Sequence, residues 1–152
     1  DLASIDLVPV ATERQVPAQR ETTDLTGLRI LVVDDEADIL DLMQYILENA
    51  GASVRIATSA QEAIAELIAS GGGYDALLAD IGMPEEDGFA LIRLVRALAV
   101  ESGGQIPAAA ITAYASERER QFAIDAGFGM HLAKPVAPDR LIQMVRILTG
   151  QK

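Results

Sequence analysis

The chain has 152 residues, half of them hydrophobic and only 4% aromatic, enough for one domain with a core built from Leu, Ile, Val and Ala. A formal net charge of -11 argues against a nucleic-acid face, which must neutralise phosphates, and against adhesion to anionic membranes. The absence of cysteine excludes disulfides, thiol catalysis and thiolate metal sites, and with His131 as the single histidine a histidine zinc centre is disfavoured.

Residues 1–26 carry Pro9, Pro17 and the polar run Gln19 to Asp24 without helical period, and read as a linker or fragment end with one short strand at Ile5 to Val8. The chain opens on Asp1 rather than methionine, so a piece cut from a longer protein is expected. No apolar run is long enough to span a bilayer and no basic-apolar leader opens the chain, which points to a soluble, cytoplasmic protein.

From Leu28 the pattern becomes regular. Leu28 to Val33 is a β-branched apolar strand, followed by Ile39, Leu42, Met43, Ile46, Leu47 and Ala50 at helical spacing with Gly51 as the stop. Ser53 to Ala57 predicts a second strand, and Ser59 with Glu62 a capping box for a helix that Gly71 to Gly73 ends. Residues 76–79 form a third strand, uniformly apolar as in a sheet covered on both faces. A helix from Phe89 to Ala99 follows, with Ile92, Val95 and Leu98 on one face, then a strand from Pro107 to Thr112. Ser116 with Glu119 caps a fourth helix that runs to Ala126 and stops at Gly127; a fifth strand, Met130 to Ala133, and a helix, Pro138 to Leu148, complete the series. Five strand–helix alternations with short loops predict an α/β fold, a doubly wound parallel sheet of order 2-1-3-4-5.

In such a sheet, chemistry sits beyond the carboxyl ends of the strands. The first strand ends in Asp34-Asp35, the third in Asp80, the fourth in Thr112 and the fifth in Lys134-Pro135. Taken singly each has a plain reading: either aspartate of the first pair caps the next helix, Thr112 is an ordinary strand residue, Lys134 a surface turn. Taken together, three carboxylates, a hydroxyl and an ammonium meet at one edge. The carboxylates repel unless a cation sits among them, and all-oxygen donors favour Mg2+. A carboxylate nucleophile with Lys and Thr to hold phosphoryl oxygens specifies phosphoryl transfer to aspartate.

These residues resemble the receiver domains of two-component response regulators over roughly Leu28 to Leu148, through Val-Val-Asp34-Asp35-Glu36, Asp80-Ile-Gly-Met-Pro84 with Asp87-Gly88, Thr112-Ala113 and Lys134-Pro135. The resemblance implies a flavodoxin-like domain over 27–150 with Asp80 as phospho-acceptor. Asp35 would bind Mg2+ directly, Asp34 through water, and the Gly82 carbonyl would add a ligand. Thr112 and Lys134 would hold the phosphoryl group, and the Lys134-Pro135 bond would be cis. A histidine kinase or histidine phosphotransfer domain would be the donor and a downstream protein the target. The family's switch aromatic falls on His131, which leaves the usual ring readout in doubt. Gly82 and Tyr114 occupy positions that set phosphate loss, expected here to be slow to moderate. Ala126 to Val136 is similar to C-terminal receivers of hybrid sensor histidine kinases, and Ile5 to Pro9 to the last strand of a kinase domain.

Three other readings compete with this one. A haloacid-dehalogenase phosphatase needs an acid two residues after its nucleophile, where Gly82 stands. A dinucleotide-binding domain needs a glycine fingerprint after the first strand, and none is present. A phosphate-independent pseudo-receiver interaction module is opposed only by the completeness of the acid, Thr and Lys set.

Overall fold

The buried apolar runs and the helically spaced ones resolve, among the described residues, into alternating strands and helices. They are β1 (Arg29–Val33), α1 (Ala37–Asn49), β2 (Ser53–Ala57), α2 (Ala60–Ala69), β3 (Ala76–Asp80), α3 (Gly88–Arg96), β4 (Ala108–Thr112), α4 (Glu117–Ala126), β5 (Met130–Ala133) and α5 (Pro138–Leu148). This computed structural model describes residues 24–81, 88–113 and 116–150. All strand pairs are parallel and the order is β2-β1-β3-β4-β5, the doubly wound arrangement expected. β3 and β4 are buried along their whole length, while edge strand β2 exposes Ser53, Arg55 and Ile56.

Strand alternation sends two sets of side chains to opposite faces. Ile30, Val32, Leu78, Ala109, Ile111 and Leu132 meet α1 and α5. Leu31, Val33, Leu77, Ala79, Ala108 and Ala110 meet α2, α3 and Ala123 of α4. The two cores share the sheet, one on each face.

Several element ends differ from the sequence expectation for local reasons. α1 stops at Asn49 with Ala50 as its cap, and Gly51, at φ 107, is the residue beyond it. The α2 box is offset: Ser59 Oγ accepts from the Glu62 N–H at 3.1 Å, but the Glu62 carboxylate reaches back to the N–H of Thr58 at 2.7 Å. α3 ends at Arg96 rather than Ala99; Ala99 is extended and a 3-10 turn follows over Val100–Ser102. The chain must turn back to β4 there, and Gly104 passes so close to the Leu98 carbonyl that no Cβ fits. Leu25, read from sequence as part of the leading segment, is fully buried against the α1–α5 core, and its N–H bonds to the Ala50 carbonyl at 2.7 Å. The expected strand at Ile5 to Val8 lies outside the described residues, as does the Glu119 side chain of the expected α4 box.

Among the described residues no helix is long and apolar enough to cross a membrane.

Candidate functional site

Parallel strands that stop in register deliver their following residues to one place. Val33 pairs with Ala79, Asp80 with Ile111, and Thr112 with Ala133, so Asp34, Asp80, Thr112 and Lys134 arrive together at the carboxyl edge. One carboxylate oxygen from each of Asp34, Asp35 and Asp80 lies within 4.8 Å of the others. Asp34, Asp80 and Thr112 are the buried polar residues among those described, and Asp35 is exposed.

The Lys134 ammonium sits in the middle of this cluster, 3.3 Å from Asp34 Oδ2, 3.5 Å from Asp80 Oδ2 and 3.2 Å from Glu36 Oε1. Its backbone is fixed as well: the Lys134 N–H donates to the Thr112 carbonyl at 2.7 Å, and the following Lys134-Pro135 bond is cis, as the resemblance implied. The Asp34 backbone N–H bonds to the Ala57 carbonyl, and its Oδ1 accepts from the Glu36 N–H at 2.9 Å. That contact turns the chain from β1 into α1. Asp34 therefore serves the turn as well as the cluster, while α1 itself starts at Glu36 with no side-chain cap.

Burial is the main electrostatic cost here. It pushes the Asp34 carboxyl up from its ordinary value to about 6, the Glu36 N–H opposing the rise and the Asp80 carboxylate adding to it. Burial by itself would lower the Lys134 ammonium, but the Asp80 and Asp34 carboxylates, with Glu36, hold it above its ordinary value. Asp34 Oδ2 is buried with no hydrogen-bond partner among the described residues, and the Lys134 ammonium stands 3.3 Å from it. Two buried carboxylates, a third at the rim and one lysine leave excess negative charge and an under-coordinated oxygen. A hard divalent cation held by oxygen donors fits that donor set.

Sequence reasoning placed Asp34, Asp35, Asp80, Thr112 and Lys134 together, and the fold brings them together. His131 lies mid-strand in β5, opposite Ala110 and partly buried, three residues before the lysine. Gly82 and Tyr114 lie outside the described residues. Glu36 stands in the sequence reading only as the last residue of the Val-Val-Asp34-Asp35-Glu36 motif, with no role of its own; its contact with Lys134 spans 98 positions, and the one sequence signal for it is the third acid of that run.

Comparison with known proteins gives this geometry a family. The model described as the response regulator receiver domain matches residues 30–146. An uncharacterized 14.6 kDa protein of Leptolyngbya boryana is 45% identical over 122 residues, 80% of this chain and 90% of that protein. The response regulator MprA of Mycolicibacterium vanbaalenii is 36% identical over 80% of this chain, which spans only 50% of MprA's length. Among solved structures, a response regulator from Chloroflexus aurantiacus superposes with a TM-score of 0.75 at 28% identity, over 82% of this chain and 98% of that one. The receiver domain of a sensor histidine kinase from Pseudomonas aeruginosa PAO1, solved with a magnesium ion in its active-site cleft, gives 0.73 at 28% identity, over 83% of this chain and 100% of that one. The chain belongs to the response regulator receiver domain family of two-component signalling.

Proposed function

We propose that this domain accepts a phosphoryl group from a phosphohistidine onto the Asp80 carboxylate and thereby changes a protein-binding face. The observation that carries the reading is the placement of Asp80: buried at the end of the central strand, with the Lys134 ammonium 3.5 Å away and two more carboxylates in reach. In the transfer the N–P bond of the phosphohistidine breaks, a P–O bond forms to an Asp80 oxygen, and the freed ring nitrogen keeps the electron pair. Lys134 is positioned to neutralise phosphoryl oxygens, exchanging its present carboxylate partners for the incoming group. Thr112, buried at the end of β4, is positioned to donate its hydroxyl to the same group.

Asp34, Asp35 and Asp80 would hold Mg2+, with the Gly82 carbonyl as a further ligand. The ion would supply charge neutralisation for the carboxylates and the transferring group. The loaded site then draws on Thr112 and biases the β4–α4–β5 surface, His131 and Tyr114 included, toward a second arrangement. The donor is a histidine kinase or histidine phosphotransfer domain, the target a protein rather than DNA or membrane, and the setting cytoplasmic. An origin in a hybrid sensor kinase is supported by the likeness to the Pseudomonas kinase receiver.

The test is intact mass after incubation with Mg2+ and acetyl phosphate, beside Asp80→Asn. One phosphoryl adduct on the parent, missing in the variant and lost with chelator, is expected. No adduct while Mg2+ still binds would transfer the assignment to the phosphate-independent interaction module.

A further inference from the structure

α4 is attached to the rest of the molecule unequally. Glu117, Arg118, Arg120 and Gln121 in its first half are exposed, and Ala123, the one fully buried among its described side chains, lies in the second half. Beyond its last residue the attachments multiply. Phe128 is buried and its N–H bonds to the Ala123 carbonyl, and the Gly129 N–H bonds to the Ala108 carbonyl at the start of β4. A third attachment is a set of charge-assisted hydrogen bonds. Arg96, the last residue of α3, directs Nε and Nη2 at the Gly127 carbonyl, at 3.2 and 2.9 Å. Its Nη1 donates to the carbonyls of Gly104 and Ile106, at 3.1 and 2.6 Å. One guanidinium thus ties together the end of α3, the approach to β4 and the end of α4. Gly127 is shaped to admit it: at φ 127 it has a backbone that side chains rarely adopt, and a Cβ there would stand 3.2 Å from Arg96 Cγ.

A guanidinium at a helix C-terminus is favourable twice, as a fork donor to terminal carbonyls and as a positive charge at the negative end of the helix dipole. The opposite end of α4, at Glu117, follows Thr112 by five positions in the sequence. We propose that Arg96 is the pivot of α4: it fixes the helix's C-terminal end, so that movement started at Thr112 tilts the N-terminal half instead of detaching the whole helix. Among the described residues the Arg96 guanidinium bonds to Gly104, Ile106 and Gly127 and to none of the site residues, and its role is positional. The inference rests on the phosphoryl-acceptor reading only for what starts the movement; the anchorage itself is a property of the unmodified protein.

Hydrogen–deuterium exchange on the whole chain tests it, comparing the parent with Arg96→Met and Arg96→Lys, first without phosphodonor. In Arg96→Met, amides from Ile124 to Gly129 should exchange about tenfold faster while those of β1 and α5 hold their rates, and Arg96→Lys should recover part of the protection. Equal exchange at Ile124 to Gly129 in the parent and both variants overturns the proposal, as does a uniform rise across all elements. If Arg96→Met does not fold, Arg96→Lys against the parent decides by the same regional pattern. With Mg2+ and acetyl phosphate, and the adduct verified by mass, the parent's response should be confined to the first turns of α4, whereas that of Arg96→Met should extend to Gly127. A parent response equally strong at Gly127 also overturns it. A parent that takes no adduct counts against Asp80 as acceptor, and the donor-free comparison still decides the anchor.

Discussion

α5 and α4 flank the same last strand, yet they are held by different physics. α5 buries Leu141, Ile142, Met144 and Val145 against the side chains of Ile111 and Leu132. α4 buries Ala123 alone among its described side chains, over a stretch of sheet surfaced by Ala108 and Ala110. Small side chains on both partners leave little apolar area to remove from water, so α4 depends on its C-terminal ties. Its two large apolar residues, Phe122 and Ile124, are 54% and 37% exposed. A helix held so lightly can be displaced by a small change at the strand end it follows; one held as α5 is cannot.

The strongest way to break that contrast is to truncate one large side chain on each helix. Leu141→Ala should cost about 3 kcal/mol by urea unfolding, through lost burial plus a cavity. Phe122→Ala should cost less than about 0.5 kcal/mol, since the ring is half exposed, with the Arg118 guanidinium carbon 5.7 Å from its centroid. Equal costs would remove the basis for calling α4 lightly held.

A comparable effect is expected at the site, from charge instead of volume. Lys134→Met leaves Asp34 and Asp80 buried without the cation that faces both. About 3 kcal/mol of stability should be lost at pH 7 without divalent ions, and millimolar Mg2+ should restore part of it. A variant as stable as the parent in EDTA would mean that the ammonium does not balance these carboxylates.

How this arrangement was written in the sequence differs from part to part. The strands were legible because β-branched or alanine-rich runs terminate in charged or hydroxyl residues, and that same punctuation located Asp34, Asp80, Thr112 and Lys134. α5 was read with its observed ends because Pro138 opens it and its apolar spacing persists to Leu148. Contacts that depend on where separate elements stop were not legible. Glu36 meets Lys134 only because α1 begins at once after the Asp34 turn, and Arg96, a basic residue in a last helical turn, reads locally as a solvated charge. The burial of Leu25 depends on the position of Ala50, across a helix it precedes. The Glu62 contact with Thr58 instead of Ser59 is a side-chain choice within one turn that no pattern specifies.

The pH dependence of the metal-free protein sharpens the picture of the site as a strained end on a rigid sheet. Asp34 titrates near 6 in the folded protein and at the ordinary carboxylate value when unfolded. Between those values the folded chain binds the extra proton, so stability falls as pH rises from about 4 to about 6 and levels off above. The loss is on the order of 2 kcal/mol, and Asp34→Asn should abolish the slope and gain a similar amount at pH 7 while weakening Mg2+ binding. Thermal midpoints in EDTA across pH 4 to 7 measure it; a slope that survives in Asp34→Asn would assign it to another group.

The smallest effects separate the starts of two helices. α2 begins with a side-chain cap, Ser59 Oγ accepting from the Glu62 N–H, and Ser59→Ala should cost about 1 kcal/mol with no change at the site. α1 begins at Glu36 with no side-chain cap, and its carboxylate, 60% exposed, faces Lys134 instead. Glu36→Ala should therefore cost less than about 0.5 kcal/mol in unfolding experiments, solvent screening most of the ion pair. It should nevertheless alter the rate of adduct formation from acetyl phosphate, because under the proposed transfer it removes one of the three carboxylates that Lys134 would exchange for a phosphoryl oxygen. A large stability loss without a rate change would make Glu36 a helix-starting residue after all. The expected inverse pattern, little stability and a measurable rate, would show that the start of α1 is shaped for the site at the expense of its own helix.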